Sequence, residues 1–213
     1  AYTGFTTNAD IGVAATDAAL PYDDHGITVG DGVFATLKVL DDRPLALTRH
    51  LERLATSAAS MEIPLPSSDT IHAGIEGVLA HHRGGGFLRL TVTAGPGPLG
   101  TPRADLTPTL IIAIRPGAIR TEPTDVVTVP WPRNERGALA GVKSTSYGEN
   151  VIALQRAMTH GATEAIFANT RGELCEGTGS NIFIEYRGRL VTPPLESGCL
   201  AGVTRELLLE AGI

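Results

Sequence analysis

The sequence predicts a mixed α+β fold in two domains, on three observations. Val33–Leu40 places Val33, Ala35, Leu37 and Val39 on one side of an alternating run, the period of a half-buried strand. Leu47, Leu51, Leu54 and Ala58 recur at helical spacing. The stretch 116–123, bounded by Pro116 and Pro123, separates two halves that each mix both kinds of pattern, which divides the chain into residues 1–115, a linker 116–123 and residues 124–213.

In chain order, residues 1–28 read as irregular, with a turn at Tyr22–Gly26, and lead through Gly30–Asp31–Gly32 into the strand 33–40. Asp41–Pro44 is a turn. A helix follows from Thr48, a candidate cap, with Arg49 and Arg53 four apart on one side, and Pro64 and Pro66 close the unit. A second helix spans 68–82 and stops at Gly84–Gly86; His81, His82 and Arg83 in its last turn suit the negative helix end and do not make a metal site. Strands 87–93 and 107–114 flank the loop 95–103. In the second half, strand 125–129 precedes a helix whose start carries Ser146 and Glu149 at capping-box spacing and whose apolar stripe is Val151, Leu154 and Met158. Strands 165–168 and 174–176 surround the turn 169–172, and strands 181–186 and 190–192 pair across Arg187–Gly188. Leu200–Arg205 then enters a short helix.

Composition narrows the function classes. A net charge of −6 argues against a nucleic-acid footprint. No apolar run approaches bilayer length, so no membrane partner is expected. Cys175 and Cys199 are too few for a disulfide framework and lack metal spacing. The N-terminal residues carry no signal-peptide pattern, and a soluble cytoplasmic protein is the expectation. The chain opens at Ala1 without an initiator methionine, so either its true start is missing or a presequence has been removed.

Gly137–Ser144 looks like a phosphate loop, but Val142 separates its second glycine from the lysine. Gly30–Asp31–Gly32 opens a strand, not a helix, and so is no dinucleotide fingerprint. There is no GxSxG and no HExxH. What stands out is Lys143, among small and hydroxyl residues with no acidic residue within five positions. A buried lysine loses its proton more readily, and the neutral amine condenses with carbonyls, the chemistry of a Schiff-base lysine.

Gly30–Val39, His50–Leu54, Lys143–Val151, Glu164–Phe183 and Leu190–Arg205, in that order, resemble the class IV aminotransferases. These are the fold-type IV pyridoxal phosphate enzymes, which include branched-chain and D-amino-acid aminotransferases and aminodeoxychorismate lyase. The resemblance implies that pyridoxal 5'-phosphate binds residues 124–213, and that Lys143 carries it and moves the substrate proton. It further implies that Tyr147 bonds its phenolic oxygen, Glu176 faces the pyridine nitrogen and Leu200 packs on the ring. Arg53 would hold the phosphate with Val203 and Thr204, and Gly179 and Asn181 would lie in a turn beside it. The resemblance also implies a homodimer, a small amino substrate, and more chain beyond Ile213 than this incomplete second domain holds.

Two outcomes of one chemistry divide the family: amino-group transfer, and loss of pyruvate from aminodeoxychorismate to leave p-aminobenzoate, a folate precursor. Ala35–Thr36 resembles the lyases, with Thr36 a candidate catalytic residue, where many transaminases have Glu before Thr or Gly. Val29 stands in place of an aromatic residue of the branched-chain enzymes. Leu99 stands where related enzymes often have a carboxylate-binding arginine and Ala94 where an arginine commonly precedes the glycine, so either Arg103 or Arg89 compensates or the substrate differs. On Ala35, Thr36 and Val29 the sequence leans to the lyase, with a class IV aminotransferase as the alternative and a silent binding protein of this fold as a third.

Overall fold

The computed structural model describes all residues except 1, 2, 7–18, 104, 119 and 120. The chain divides into two compact units, Ala1–Arg120 with Lys143–Ser146, and Thr121–Val142 with Tyr147–Ile213.

The first unit is built on five antiparallel strands, β1 (Thr3–Thr6), β2 (Gly32–Leu40), β3 (Arg43–Pro44), β4 (Gly86–Thr93) and β5 (Thr109–Pro116), in the order β1-β5-β4-β2-β3. The register sets Ala35 opposite Leu90 and Leu90 opposite Ile112, so the alternation of β2 continues as one apolar row across the sheet. Val33, Leu37, Val39, Leu88, Val92 and Ile114 share its burial. Helices α2 (Leu47–Ser60) and α3 (Ser68–Ala80) add Leu54, Ala58, Ile71, Ile75 and Val78 to this core. Asp41 and Asp42 both take positive φ, which gives β2 and β3 a two-residue hairpin turn of the primed kind.

Here the structure amends the sequence reading at its edges. Helix α2 starts one residue before Thr48, on a left-handed Ala46 with no side-chain cap. Helix α3 is capped by Ser67, whose hydroxyl accepts from Thr70 N at 3.1 Å, and ends before His81. The Arg83 guanidinium does reach a last-turn carbonyl, Ala80 O at 3.0 Å. Two elements occupy the region read as irregular: β1, paired with β5, and a one-turn helix α1 (His25–Thr28) capped by Asp24. The rest of that region, residues 7–18, lies outside the described residues, as do residues 119 and 120 of the expected linker.

In the second unit, β6 (Val126–Thr128) runs parallel to β7 (Glu164–Ala168), and β8 (Leu174–Gly177) returns antiparallel to β7. Strands β9 (Ile184–Tyr186) and β10 (Arg189–Val191) form a hairpin whose turn residues Arg187 and Gly188 both have positive φ. Helix α4 (Gly148–Thr159) and helix α5 (Val203–Glu210) complete the unit. Its core gathers Val129, Ala153, Ala157, Ala165, Phe167 and Cys175.

Helix α4 overturns two expectations. Its buried residues are Asn150, Ala153 and Ala157, while Val151 and Met158 of the expected apolar stripe are more than half exposed. Small side chains let the helix backbone approach the sheet, and larger apolar ones stay outside. The expected capping box is also absent: Tyr147 is the N-cap without a side-chain bond, the Ser146 hydroxyl donates to Gly30 O at 3.0 Å, and Glu149 lies 3.5 Å from Arg133. Among the described residues no helix is long and apolar enough to cross a membrane, and no cluster of His, Cys, Asp and Glu could hold a metal ion.

Candidate active site

In the first unit, residues 143–145 lie along the edge of β2. Phe34 N donates to Lys143 O at 2.9 Å and Thr145 N to Gly32 O at 2.8 Å. Thr145 Oγ1 donates to Gly30 O at 2.8 Å, and Lys143 N to the Ser57 hydroxyl of α2 at 3.2 Å. These three residues of a loop are thus fastened to both the sheet and the helix by hydrogen bonds. Gly32 suits this approach: a Cβ there would sit 2.9 Å from Val92 O and 3.0 Å from Thr145 Oγ1.

The backbone aims Lys143 at the sheet face opposite the apolar row. Its Nζ lies 4.5 Å from the centre of the Phe34 ring, and the guanidinium of Arg89 lies 3.7 Å from the same ring. Both contacts are cation–π interactions. Thr36 stands opposite Arg89 across β2 and β4 and is half-buried. From α2, Arg53 donates through Nη2 to His50 Nδ1 at 3.3 Å. Burial first, then the charges of Arg53 and Lys143, push the His50 imidazole down to about pKa 4. His50 is therefore neutral at pH 7 and can accept that hydrogen, and its shift reflects its burial first and the two cations after it.

Arg103, one of the two candidates for binding a carboxylate, is already paired. Its Nε and Nη2 donate to the two oxygens of Asp31 at 2.7 and 2.6 Å, a bidentate pair that already occupies the guanidinium fork. Arg89, the other candidate, is exposed, stacked on Phe34 on the face that carries Lys143, and donates from Nε to Thr91 Oγ1 at 3.3 Å.

In the second unit, Glu176 on β8 is 14% exposed. Its Oε2 accepts from Leu200 N at 2.9 Å, and its Oε1 lies 3.4 Å from Arg133 Nε. That last contact is an ion pair and not a formed hydrogen bond, since Nε is buried without a hydrogen-bond acceptor. Arg133 is stacked 4.2 Å over the Phe167 ring and also reaches Asn150 Oδ1 at 3.3 Å. The Tyr147 hydroxyl donates to Thr178 O at 2.8 Å, so its proton is given to the backbone of the turn after Glu176. Asn181 Nδ2 donates to Leu200 O at 2.8 Å, which fastens that turn's far end to the entrance of α5. Helix α5 begins at a buried Val203 without a side-chain cap, and Thr204 in its first turn is exposed. Gly179 is exposed within the turn.

Comparison with known proteins gives this arrangement a family: the model of amino-transferase class IV matches residues 32–213. The chain belongs to the class IV aminotransferases, the fold-type IV pyridoxal phosphate enzymes. A protein of Methanocaldococcus jannaschii described as a branched-chain-amino-acid aminotransferase is 36% identical over 200 residues, covering 91% of this chain and 69% of its own. A bifunctional aminodeoxychorismate lyase and D-amino acid transaminase of Mycobacterium tuberculosis is 31% identical, over 88% of this chain and 71% of its own. Among solved structures, a hypothetical aminotransferase of Mycobacterium tuberculosis in its PLP-bound form superposes with a TM-score of 0.84 at 27% identity, covering 99% of this chain and 77% of that one.

Each unit by itself offers groups of the kind that the class IV cofactor needs. A phosphorylated aldehyde needs an amine and fixed positive charge, and Lys143 and Arg53 supply both close enough to depress His50. A phosphate also suits a helix start with no side-chain cap and an exposed hydroxyl, as at Val203–Thr204. Sequence reasoning gave no role to Phe34, His50, Arg133, Asn150, Glu164 and Thr178. Only His50 left a signal, three positions before Arg53 on one helix face.

Proposed function

We propose that this class IV enzyme is a pyridoxal-phosphate-dependent aminotransferase acting on an amino acid of the branched-chain or D-amino-acid type. The observation that carries the reading is Lys143, held by backbone bonds to β2 with Nζ over Phe34 beside the Arg53–His50 pair. When bound, the cofactor supplies an electron sink for the bond broken at the substrate's α-carbon. Lys143 would hold it through Nζ and, once its amine is free, would be the base that takes the α-proton. Arg53, with the Val203 and Thr204 amides and the Thr204 hydroxyl, binds the phosphate. Glu176, kept in place by Leu200 N and Arg133, maintains a proton on the pyridine nitrogen, while Leu200 packs on the ring. Tyr147 and Asn181 orient the ring's phenolic side, and Arg89 binds the substrate carboxylate. The protein acts as a homodimer.

The Methanocaldococcus jannaschii relative favours transfer over lysis. Ala35–Thr36 and the bifunctional Mycobacterium tuberculosis relative support aminodeoxychorismate lyase as the second reading, with Thr36 beside the departing group. One assay set separates them. Loaded protein is offered 2-oxoglutarate with a panel of L- and D-amino acids, and separately aminodeoxychorismate. Keto-acid formation without p-aminobenzoate supports the aminotransferase, and p-aminobenzoate formation alone refutes it. Borohydride reduction and peptide mapping should find the pyridoxyl group on Lys143, and a label elsewhere would overturn the site.

A further inference from the structure

Glu164, the first residue of β7, has no part in the chemistry above, yet its carboxylate accepts four hydrogen bonds. Its Oε1 accepts from Ala165 N at 2.9 Å, Thr178 N at 3.0 Å and Thr178 Oγ1 at 2.5 Å, and its Oε2 accepts from Ser180 Oγ at 2.9 Å. Burial alone would raise its pKa. The Thr178 hydroxyl and amide, the Ala165 amide and the Ser180 hydroxyl outweigh that and hold it below the ordinary carboxylate value. The carboxylate is packed against backbone: a Cβ at Gly177 would lie 3.1 Å from it and 2.3 Å from Ser180 Oγ. Gly177 N closes the turn onto Ser180 O at 2.8 Å.

Both donors of Thr178 are thus spent on Glu164, which leaves its carbonyl facing the other way. That carbonyl accepts from Tyr147 Oη at 2.8 Å and from Asn150 Nδ2 at 2.6 Å, enough to use both lone pairs. A phenol has one hydrogen, so donating it to Thr178 O leaves an oxygen lone pair to meet any other partner.

We propose that Glu164 is a positioning residue which, by clamping the amide and hydroxyl of Thr178, sets the direction of the Tyr147 hydroxyl. The inference rests on the reading of Tyr147 as a cofactor contact. Asn150, the carbonyl's second donor, accepts in turn from Arg133, which faces Glu176. One anion at the head of β7 therefore holds the side chains assigned to two edges of the cofactor ring. A carboxamide at position 164 removes the charge behind all four bonds and keeps an acceptor on one side only, its NH2 group meeting Ser180 Oγ as a donor if it turns that way.

The test has two arms, both on the full chain. In protein without added cofactor, the tyrosine doublet in ultraviolet resonance Raman reports whether a phenol donates, and the Tyr147 share is obtained by difference from Tyr147→Phe. Glu164→Gln and Thr178→Val should reduce its donor character, and Thr178→Ser should restore it. An unchanged Tyr147 signal in folded Glu164→Gln and Thr178→Val overturns the proposal whatever the protein binds. In the second arm, pyridoxal phosphate affinity is measured by fluorescence quenching in a double-mutant cycle. Glu164→Gln should weaken binding about fivefold, the effect of one net hydrogen bond, and by less than about twofold in the Tyr147→Phe background. Equal losses in both backgrounds mean that Glu164 acts on stability alone and refute the proposal. Failure of the wild-type chain to bind pyridoxal phosphate would sink the functional reading and leave the Raman arm to decide this one.

Discussion

His50 offers the sharpest check on the cluster around Lys143, because its titration measures the field there without any ligand. The structure places the folded pKa at about 4 against 6.5 for an ordinary histidine, through burial first, then Arg53, then Lys143. Between those values the unfolded chain binds more protons than the folded one, so stability rises with pH. The contribution is complete above about pH 6.5 and is lost as pH falls towards 4. At about 1.36 kcal/mol per pH unit the whole interval is worth about 3.4 kcal/mol. His50 is only partly buried, and solvent screening brings the expected figure to about 1–2 kcal/mol. Urea unfolding of wild type and His50→Gln at a series of pH values from 7.5 to 4 measures it, since glutamine keeps an acceptor for Arg53 but does not titrate. Wild type should lose about 1–2 kcal/mol more than the variant over that range. The Cε1–H resonance of His50 then gives the pKa directly, and it should rise in Arg53→Met and by less in Lys143→Met. Superimposable stability profiles, or a His50 resonance titrating near 6.5, would refute the placement of both cations.

Three further outcomes are expected. Arg89→Ala should lower kcat/KM for a carboxylate substrate by about 10- to 150-fold, the range for losing a charged hydrogen bond, whereas Arg103→Ala should leave KM unchanged and cost about 1 kcal/mol of stability through the exposed Asp31 pair. Steady-state kinetics and thermal melts of the two variants distinguish them, and a KM defect in Arg103→Ala would reverse the assignment. Gly202→Ala sets a Cβ 1.8 Å from Asn181 Oδ1, so the amide must swing away and release Leu200 O. A loss of about 1 kcal/mol by denaturant unfolding is expected, with weaker pyridoxal phosphate binding, and an unperturbed variant would show that this junction is loose. Glu135 is pulled down to about pKa 2 by the Thr170 hydroxyl first, then by backbone amides and Arg171. Its stabilisation is present above about pH 4.3 and lost as pH falls towards 2, so Thr170→Val should flatten the acid limb of the stability profile.

What could be read from the sequence was what local periodicity encodes. The alternation of Val33, Ala35, Leu37 and Val39 faces the core as expected, because one residue in two must do so wherever a strand packs on one side. Local rules failed where a distant group competed for the same atoms. Ser146 is not a cap because Gly30 O takes its hydroxyl, and the fork of Arg103 is taken by Asp31, 72 residues earlier. The stripe on α4 failed for a related reason. Ranking side chains by hydrophobicity favoured Val151 and Met158, whereas the helix turns Ala153, Ala157 and the doubly bonded Asn150 inward. Asn150 is buried at no polar cost because Thr178 O and Arg133 meet both ends of its amide. Glu164 illustrates the general case. Its partners Thr178 and Ser180 are 14 and 16 residues away, across a hairpin, and no spacing rule ties a carboxylate to them. Residues that react can be recognised by type, but residues that aim them become visible only when the chain has folded and each hydrogen has been assigned an acceptor.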